Sequence, residues 1–486
     1  MTGNGAAVPS AIDLAAVQGL LVSAFAHLHC AAFRLFRIDH AARASRWLSH
    51  VAAAVTPGEG RQEGWSLNLA LTAQGLAALG LSSDALRTFP PAFIEGMSSF
   101  RRSRILGDVG LSQPRHWRWG GQETPVHVLL LIYGEAEDEI EREKQRWRAP
   151  TDAGVTEILT LDAGRQPDGR EHFGFMDGIG QPVVAGSGRL QRQLNRTGHA
   201  TELPVGEFVL GYRNVYGEPS LGPTVDAALD PHSALPRSDI VPGRRDLGLN
   251  GTYLVFRQLS QDVPAFWKFV SEAGAALWPN DPNGPTRVAA KMVGRWPSGA
   301  PLTLYPDADP HAEPPEQIEN DFGYAEGDAH GLACPLGAHI RRANPRDARG
   351  SDPKAARESA NRHRMLRRGR SYGRRLKNLL QEDGEERGLH FICLNADLER
   401  QFEFVQQTWI NNPVFAGLEQ ETDPLVGDQS QCRGAFTIQA DPLRHRISGL
   451  RPFMNVRGGA YFFLPSLPAL RFLFPVNESL DASSRE

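Results

Sequence analysis

A faint internal repeat limits what this chain can fold into. Residues 35–51 read LFRIDHAARASRWLSHV and residues 255–270 read VFRQLSQDVPAFWKFV. Arg37, beside Phe36, stands ten positions before Trp47; Arg257, beside Phe256, stands ten before Trp267. Each segment is a run of β-formers, then a turn, then an amphipathic helical stretch. Residues 126–147 (VHVLLLIYGEAEDEIEREKQRW) and 389–409 (LHFICLNADLERQFEFVQQTW) repeat the order strand, short turn, helix, terminal Trp. Two matches in the same order predict two halves on one supersecondary plan, each a sheet with helices packed on one face. The expected fold class is α+β.

At 486 residues the chain is too long for one small core. Its 41% hydrophobic and 22% charged content is that of an ordinary globular protein. A net charge of −4 gives no global reason to expect nucleic acid or a membrane surface as partner. The apolar stretch from Ala11 to Phe36 is interrupted by Asp13, Gln18, His27 and His29, which argues against a membrane span. No Lys or Arg precedes Arg34, so the basic region of a secretory signal is lacking. Cys30, Cys334, Cys393 and Cys432 form no CxxC pair and read as reduced, mostly buried thiols. A cytoplasmic location is the expectation. Segments 216–248 and 278–335 are dense in Pro, Gly, Asp and Asn without helical or strand period, and predict loops. The stretch after Pro475 reads as a frayed polar tail.

Four segments carry chemistry. In His172-Phe-Gly-Phe-Met-Asp177-Gly178-Ile-Gly180, glycines free the backbone to present a carboxylate at a cavity wall, where it can exchange protons with substrate. The alternative is that Asp177 caps a turn through nearby amides. In Cys334-Pro-Leu-Gly-Ala-His339-Ile-Arg-Arg-Ala-Asn344-Pro345-Arg346, a lone His among small and apolar residues suits an axial haem ligand, and equally a satisfied core histidine. No second His or Cys stands at zinc-ligand spacing. From His339 to Lys377 fourteen Lys or Arg face three acids. Such a run ordinarily makes a solvated or nucleic-acid-binding face. The apolar residues and glycines around Arg367 suggest instead a guanidinium turned inward, charged and able to stabilise an oxyanion. In Gly388–Leu394 the alternate residues Leu389, Phe391 and Cys393 share one strand face, as pocket wall or as core. In Thr422-Asp423-Pro424, Asp423 is a turn carboxylate or a hydrogen-bond acceptor for a ligand imidazole.

Together these segments resemble the dye-decolourising peroxidase family, in its larger form. The likeness runs in order over about residues 174–430: Gly174-Phe-Met-Asp177-Gly178 as a GxxDG motif, the segment around His339, an Arg-x-Gly-x-x-Tyr-Gly segment from Arg367, and the Leu389/Phe391 strand. The resemblance implies two ferredoxin-like modules, here drawn as 1–235 with the GxxDG segment and 236–486 with the haem. It implies haem b held by His339, with Asp177 as distal acid–base and Arg367 as distal arginine. Leu389 and Phe391 would face the haem, Asp423 (or Asp428) would hold the ligand imidazole, and Arg341 or Arg346 would meet propionates. Hydrogen peroxide and organic reductants are the implied partners, with no nucleic acid and no membrane; an oligomer is compatible. Tyr372 and Trp409 resemble positions that pass electrons to bulky dyes at the surface. Ser371 stands where the family usually has Pro, and Arg370 where an apolar residue is common, which leaves Arg367 and Arg368 both open as the distal arginine. The rival readings are a haem carrier or haem-processing protein, and a non-enzymatic protein with 339–377 as a nucleic-acid face.

Overall fold

The computed structural model describes residues 11–430 and 434–475; Cys432 and the stretch after Pro475 lie outside them. In the first half, strands β1 (Cys30–Ile38), β2 (Trp65–Leu71), β3 (Val128–Gly134) and β4 (Val155–Gly164) form the order β4-β1-β3-β2. In the second, β5 (Thr252–Gln261), β6 (Leu366–Arg367), β7 (Arg370–Tyr372), β8 (Gly388–Asn395) and β9 (Met454–Leu464) give β9-β5-β8, with β6 and β7 in turn along the far side of β8. Neighbouring strands of this sheet are antiparallel. Both halves thus place their fourth, first, third and second strands side by side. The hydrogen-bonded order closes on itself through two seams of one bridge each, Ser371↔Gly164 and Phe463↔Leu71.

The repeat seen in the sequence falls on equivalent positions. Helix α1 (Ala41–Ala53) follows β1 and α3 (Val263–Leu277) follows β5; α2 (Glu137–Arg146) follows β3. After β8 come two π-helical stretches, Glu399–Glu403 and Val405–Ile410, in place of a regular α-helix. α1 turns Ala44, Leu48 and Val51 inward at helical spacing. α3 starts where Asp262 accepts from the Ala265 amide at 2.9 Å, with Pro264 in its first turn.

Apolar runs without alternation, such as Val-Leu-Leu-Leu-Ile-Tyr in β3, arise because both sheet faces are covered. One face packs Phe33, Leu129, Leu131, Phe256, Ile392 and Phe462 from both halves into one cluster. The other carries Leu130, Val255, Cys393 and Phe463 beneath the helices. The loops expected over 278–335 are interrupted by helix α4 (Gly284–Val293), capped by left-handed Gly294. Here Pro285 occupies the first turn, so the local Pro/Gly content marks helix ends. Two short strands, Thr224–Asp226 and Arg244–Asp246, pair within 216–248.

Candidate active site

A cavity of about 730 Å³ opens between the second-half sheet, the 169–180 loop and the segment after Cys334. His339 begins the short helix α5 (His339–Ala343), which stops before Asn344-Pro345 as the sequence suggests. The His339 side chain is 31% exposed, toward the cavity, and its Nδ1 donates to Asp423 Oδ2 at 2.9 Å. Asp423 is fully buried. Its Oδ1 meanwhile accepts from the Leu425 and Val426 amides at 2.9 and 3.0 Å, so it is both a turn carboxylate and an imidazole partner. Burial alone would lower the pKa of His339. The charge and hydrogen bond of Asp423 outweigh it and hold the imidazole above its usual value. With Nδ1 donating, the ring turns its Nε2 lone pair to the cavity. Asp428 is used otherwise: its carboxylate accepts from Ser430.

The GxxDG loop bends through left-handed Gly174, Gly178 and Gly180, with φ of 97°, 75° and 69°. Asp177 Oδ1 accepts from the Gly178 amide, as the turn reading expects, yet the residue also lines the cavity and is exposed there. Arg367 faces the same space. Its Nη2 donates to Ile179 O at 2.8 Å and its amide to Gln181 Oε1 at 3.0 Å, tying it to the loop that carries Asp177. Arg368 points away, donating to the Leu20 and Leu21 carbonyls at 2.7 and 2.9 Å. Arg370 holds Ala24 O and Phe25 O in the same manner, so the guanidiniums around Arg367 turn inward as expected, while Arg374, Arg375 and Lys377 stay exposed. Leu389 and Phe391 line the cavity, while Cys393 sits fully buried against Met365.

Two expectations change. Arg341 is outside the cavity wall; buried over Tyr324, it donates to Asp328 Oδ2 at 3.0 Å and to the Cys334 carbonyl at 2.8 Å. Trp409 is 4% exposed and packs edge-on against His363 and Phe404, so it offers no surface to a dye. Asp177 is exposed, whereas Glu171 of the same loop is half-buried and accepts from the Phe173 and Phe175 amides at 2.8 and 3.0 Å and from Gln261 at 2.7 Å. Burial pushes the Glu171 pKa up against those bonds. Glu171 lies six positions before Asp177, close enough in sequence to be suspected but with no signal of its role.

Arg346 does line the cavity, with Arg295, Arg364 and Arg367. These four donate only to neutral oxygens: Arg295 and Arg346 to Asn320 Oδ1 at 2.9 and 2.7 Å, Arg364 to Gly180 O, Arg367 to Ile179 O. Among the described residues none of the four forms an ion pair. Burial, with Arg346 nearby, lowers the Arg295 and Arg364 pKa values to about 9. Cations in a cavity wall with no anionic partner call for anions. Two carboxylates on a flat apolar macrocycle between Phe391, Leu389 and His339 would answer that need, so the residues present fit haem.

No protein-family model matches the chain. It is 32% identical over 436 residues to the dye-decolorizing peroxidase msp1 of Mycetinis scorodonius, covering 85% of this chain and 77% of that protein. The chain belongs to the dye-decolorizing peroxidase family. Among solved structures, an ancestral D-type dye-decolorizing peroxidase superposes with a TM-score of 0.76 at 27% identity, over 96% of this chain and 100% of that one. A dye-decolorizing peroxidase in complex with 2,6-dimethoxyphenol gives 0.73 at 25% identity, over 94% and 98%. Among the described residues no helix is long and apolar enough to cross a membrane.

Proposed function

We propose that this dye-decolorizing peroxidase binds haem b through His339 and uses hydrogen peroxide to oxidise dyes, phenols and similar reductants. The observation that carries the reading is the His339–Asp423 contact at 2.9 Å, on the same cavity that Asp177 and Arg367 face. Haem b would supply the iron that takes oxidising equivalents from peroxide and passes them on as single electrons. Asp423 orients the imidazole and makes it a stronger donor. Asp177 takes a proton from one peroxide oxygen and returns it to the other, the work of a general acid–base. Arg367 stays charged and gives its N–H groups to the oxygen that gathers negative charge. Arg346, Arg295 and Arg364 would hold the propionates.

The equal strand orders support two ferredoxin-like modules divided near residue 235, with haem mainly against the second. Tyr372 remains the candidate for electron relay. It is partly exposed, donates to Glu386 at 3.2 Å and stacks on His390 at 4.5 Å. The free thiols of Cys30, Cys334 and Cys393 support a reducing, cytoplasmic setting. Arg341, Arg368 and Arg370 are buried and so are not available to a nucleic-acid face.

Rapid mixing of haem-loaded protein with peroxide tests the distal assignment. Asp177→Asn and Arg367→Leu are expected to keep the Soret band and to react about 10²–10⁴ times more slowly, whereas His339→Ala loses haem. Parental rates in both distal variants would overturn the assignment.

A further inference from the structure

A tyrosine gives up an electron readily only if its phenolic proton leaves as well, so the partner of its hydroxyl decides which tyrosine can hold an oxidising equivalent. The chain has eight. The hydroxyls of Tyr133, Tyr253 and Tyr324 are buried without a hydrogen-bond partner among the described residues. Tyr324 lines the cavity, but the Arg341 guanidinium lies 4.4 Å from its ring centre and opposes the loss of an electron. Tyr212 donates to the amide oxygen of Asn250, which takes no proton. Among the described residues three are bonded to a carboxylate: Tyr305 to Glu319 at 2.9 Å, Tyr372 to Glu386 at 3.2 Å and Tyr461 to Glu403 at 2.8 Å. The rings of Tyr305 and Tyr372 pack on His311 and His390, away from the cavity; Tyr461 packs on a ring of its wall.

Tyr461 stands on β9 opposite Val255 of β5. Its ring is edge-on to Phe402, 6.2 Å between centroids, and Phe402 on the cavity wall is 6.1 Å from Phe391. A line of rings thus runs from the wall given to haem to a phenol deep in the fold. Glu403 directly follows Phe402 in the π-helical stretch, so ring and carboxylate reach Tyr461 together. The second carboxylate oxygen, Oε2, accepts from Arg102 Nη1 at 2.7 Å, which aims Oε1 at the phenol. Tyr461 and Glu403 are 2% and 4% exposed, so bulk water has no access to the proton they share.

We propose that Tyr461 is a buried store for one oxidising equivalent, with Glu403 as its proton acceptor. Tyr461 loses one electron by way of Phe402 to the oxidised cavity, its O–H bond breaks, and the proton moves to Glu403 Oε1. A neutral tyrosyl radical then lies beside a neutral carboxylic acid, and an electron returned by a reductant brings the proton back. The oxidant is the equivalent that peroxide leaves behind, so the proposal rests on the peroxidase reading. Burial raises the basicity of Glu403 against the pull of Tyr461 and Arg102, which favours the transfer. Having no surface of its own, Tyr461 meets no dye. It differs in this from Tyr372 and keeps the equivalent inside the fold until a reductant arrives.

Freeze-quench electron paramagnetic resonance tests this on haem-loaded Tyr372→Phe protein, in which the half-exposed candidate is silent. The protein is mixed with equimolar peroxide and no reductant, and its Soret band is followed alongside. A tyrosyl signal is expected, changed in shape when the protein carries ring-deuterated tyrosine. Adding Tyr461→Phe should abolish it. So should adding Glu403→Gln, whose amide oxygen still accepts from Arg102 but takes no proton. Adding Tyr324→Phe should leave it. A signal that survives in either of the first two variants overturns the store, as does a Tyr372→Phe protein that reacts with peroxide and shows no tyrosyl signal. A Soret band that peroxide leaves unchanged defeats the peroxidase reading itself, and the store with it.

Discussion

His390 is 1% exposed, stacked on Tyr372 and bounded edge-on by Phe33 and Phe256. Burial drops its pKa to about 3, and burial likewise takes His172 to about 4, against a hydrogen bond to Tyr372 O. Both folded values lie below the unfolded one of about 6.5. Between those limits the unfolded chain binds protons that the folded chain does not, so stability falls as pH falls. His390→Phe should flatten that fall, recovering roughly 2 kcal/mol at about pH 5 relative to neutral. Urea unfolding at a series of pH values reads it, and an unchanged slope would rule His390 out as its source. At this scale the sequence was half legible. His339, Asp177, Arg367, Leu389, Phe391 and Asp423 all reach one chamber or its immediate wall. Glu171, Arg295, Arg364 and Asn320 went unseen because their roles depend on approaches between segments far apart in the chain. Arg341 and Arg346 looked alike in the sequence, but only the fold shows which of them Asp328 captures.

The stretch from Glu399 to Ile410 shows how an element is fixed by partners outside itself. Its wide i→i+5 turns, such as Glu403 N to Leu398 O at 2.9 Å and Asn411 N to Gln406 O at 3.0 Å, are uncommon as regular structure. It is anchored by Arg102, which is 1% exposed and bridges Glu95, Glu399 and Glu403 at 2.7 to 2.9 Å. Tyr461 donates to the remaining Glu403 oxygen at 2.8 Å. Arg102→Ala strands buried Glu403, so a loss of about 3–5 kcal/mol is expected in denaturant unfolding; a change below about 1 kcal/mol would show that the bridges do not hold the element. Period and turn residues predicted a helix here, and they were right about its existence. Its pitch was not written in its own residues, since it follows from the grip of Arg102 and the packing of Phe402 and Trp409.

For the whole molecule, the repeat implied two similar halves, and the strand orders agree. What no local pattern announced is that the halves share their cores: Leu129 and Leu131 of the first pack with Phe256, Ile392 and Phe462 of the second. Neither half buries its apolar surface alone. Calorimetric melting of the protein should therefore show one transition whose calorimetric and van't Hoff enthalpies agree; two resolved transitions would mean the halves fold independently. The two narrow seams have a further consequence. A strand joined on its outer side by a single bridge presents most of that side as an unsatisfied template, the usual starting point for strand-by-strand aggregation. β4 is such a strand, and it carries exposed Thr156, Glu157 and Asp162 along its length. Acidic and polar side chains there make the addition of a foreign strand costly, so the place where the ring is least sealed is also guarded against self-templating.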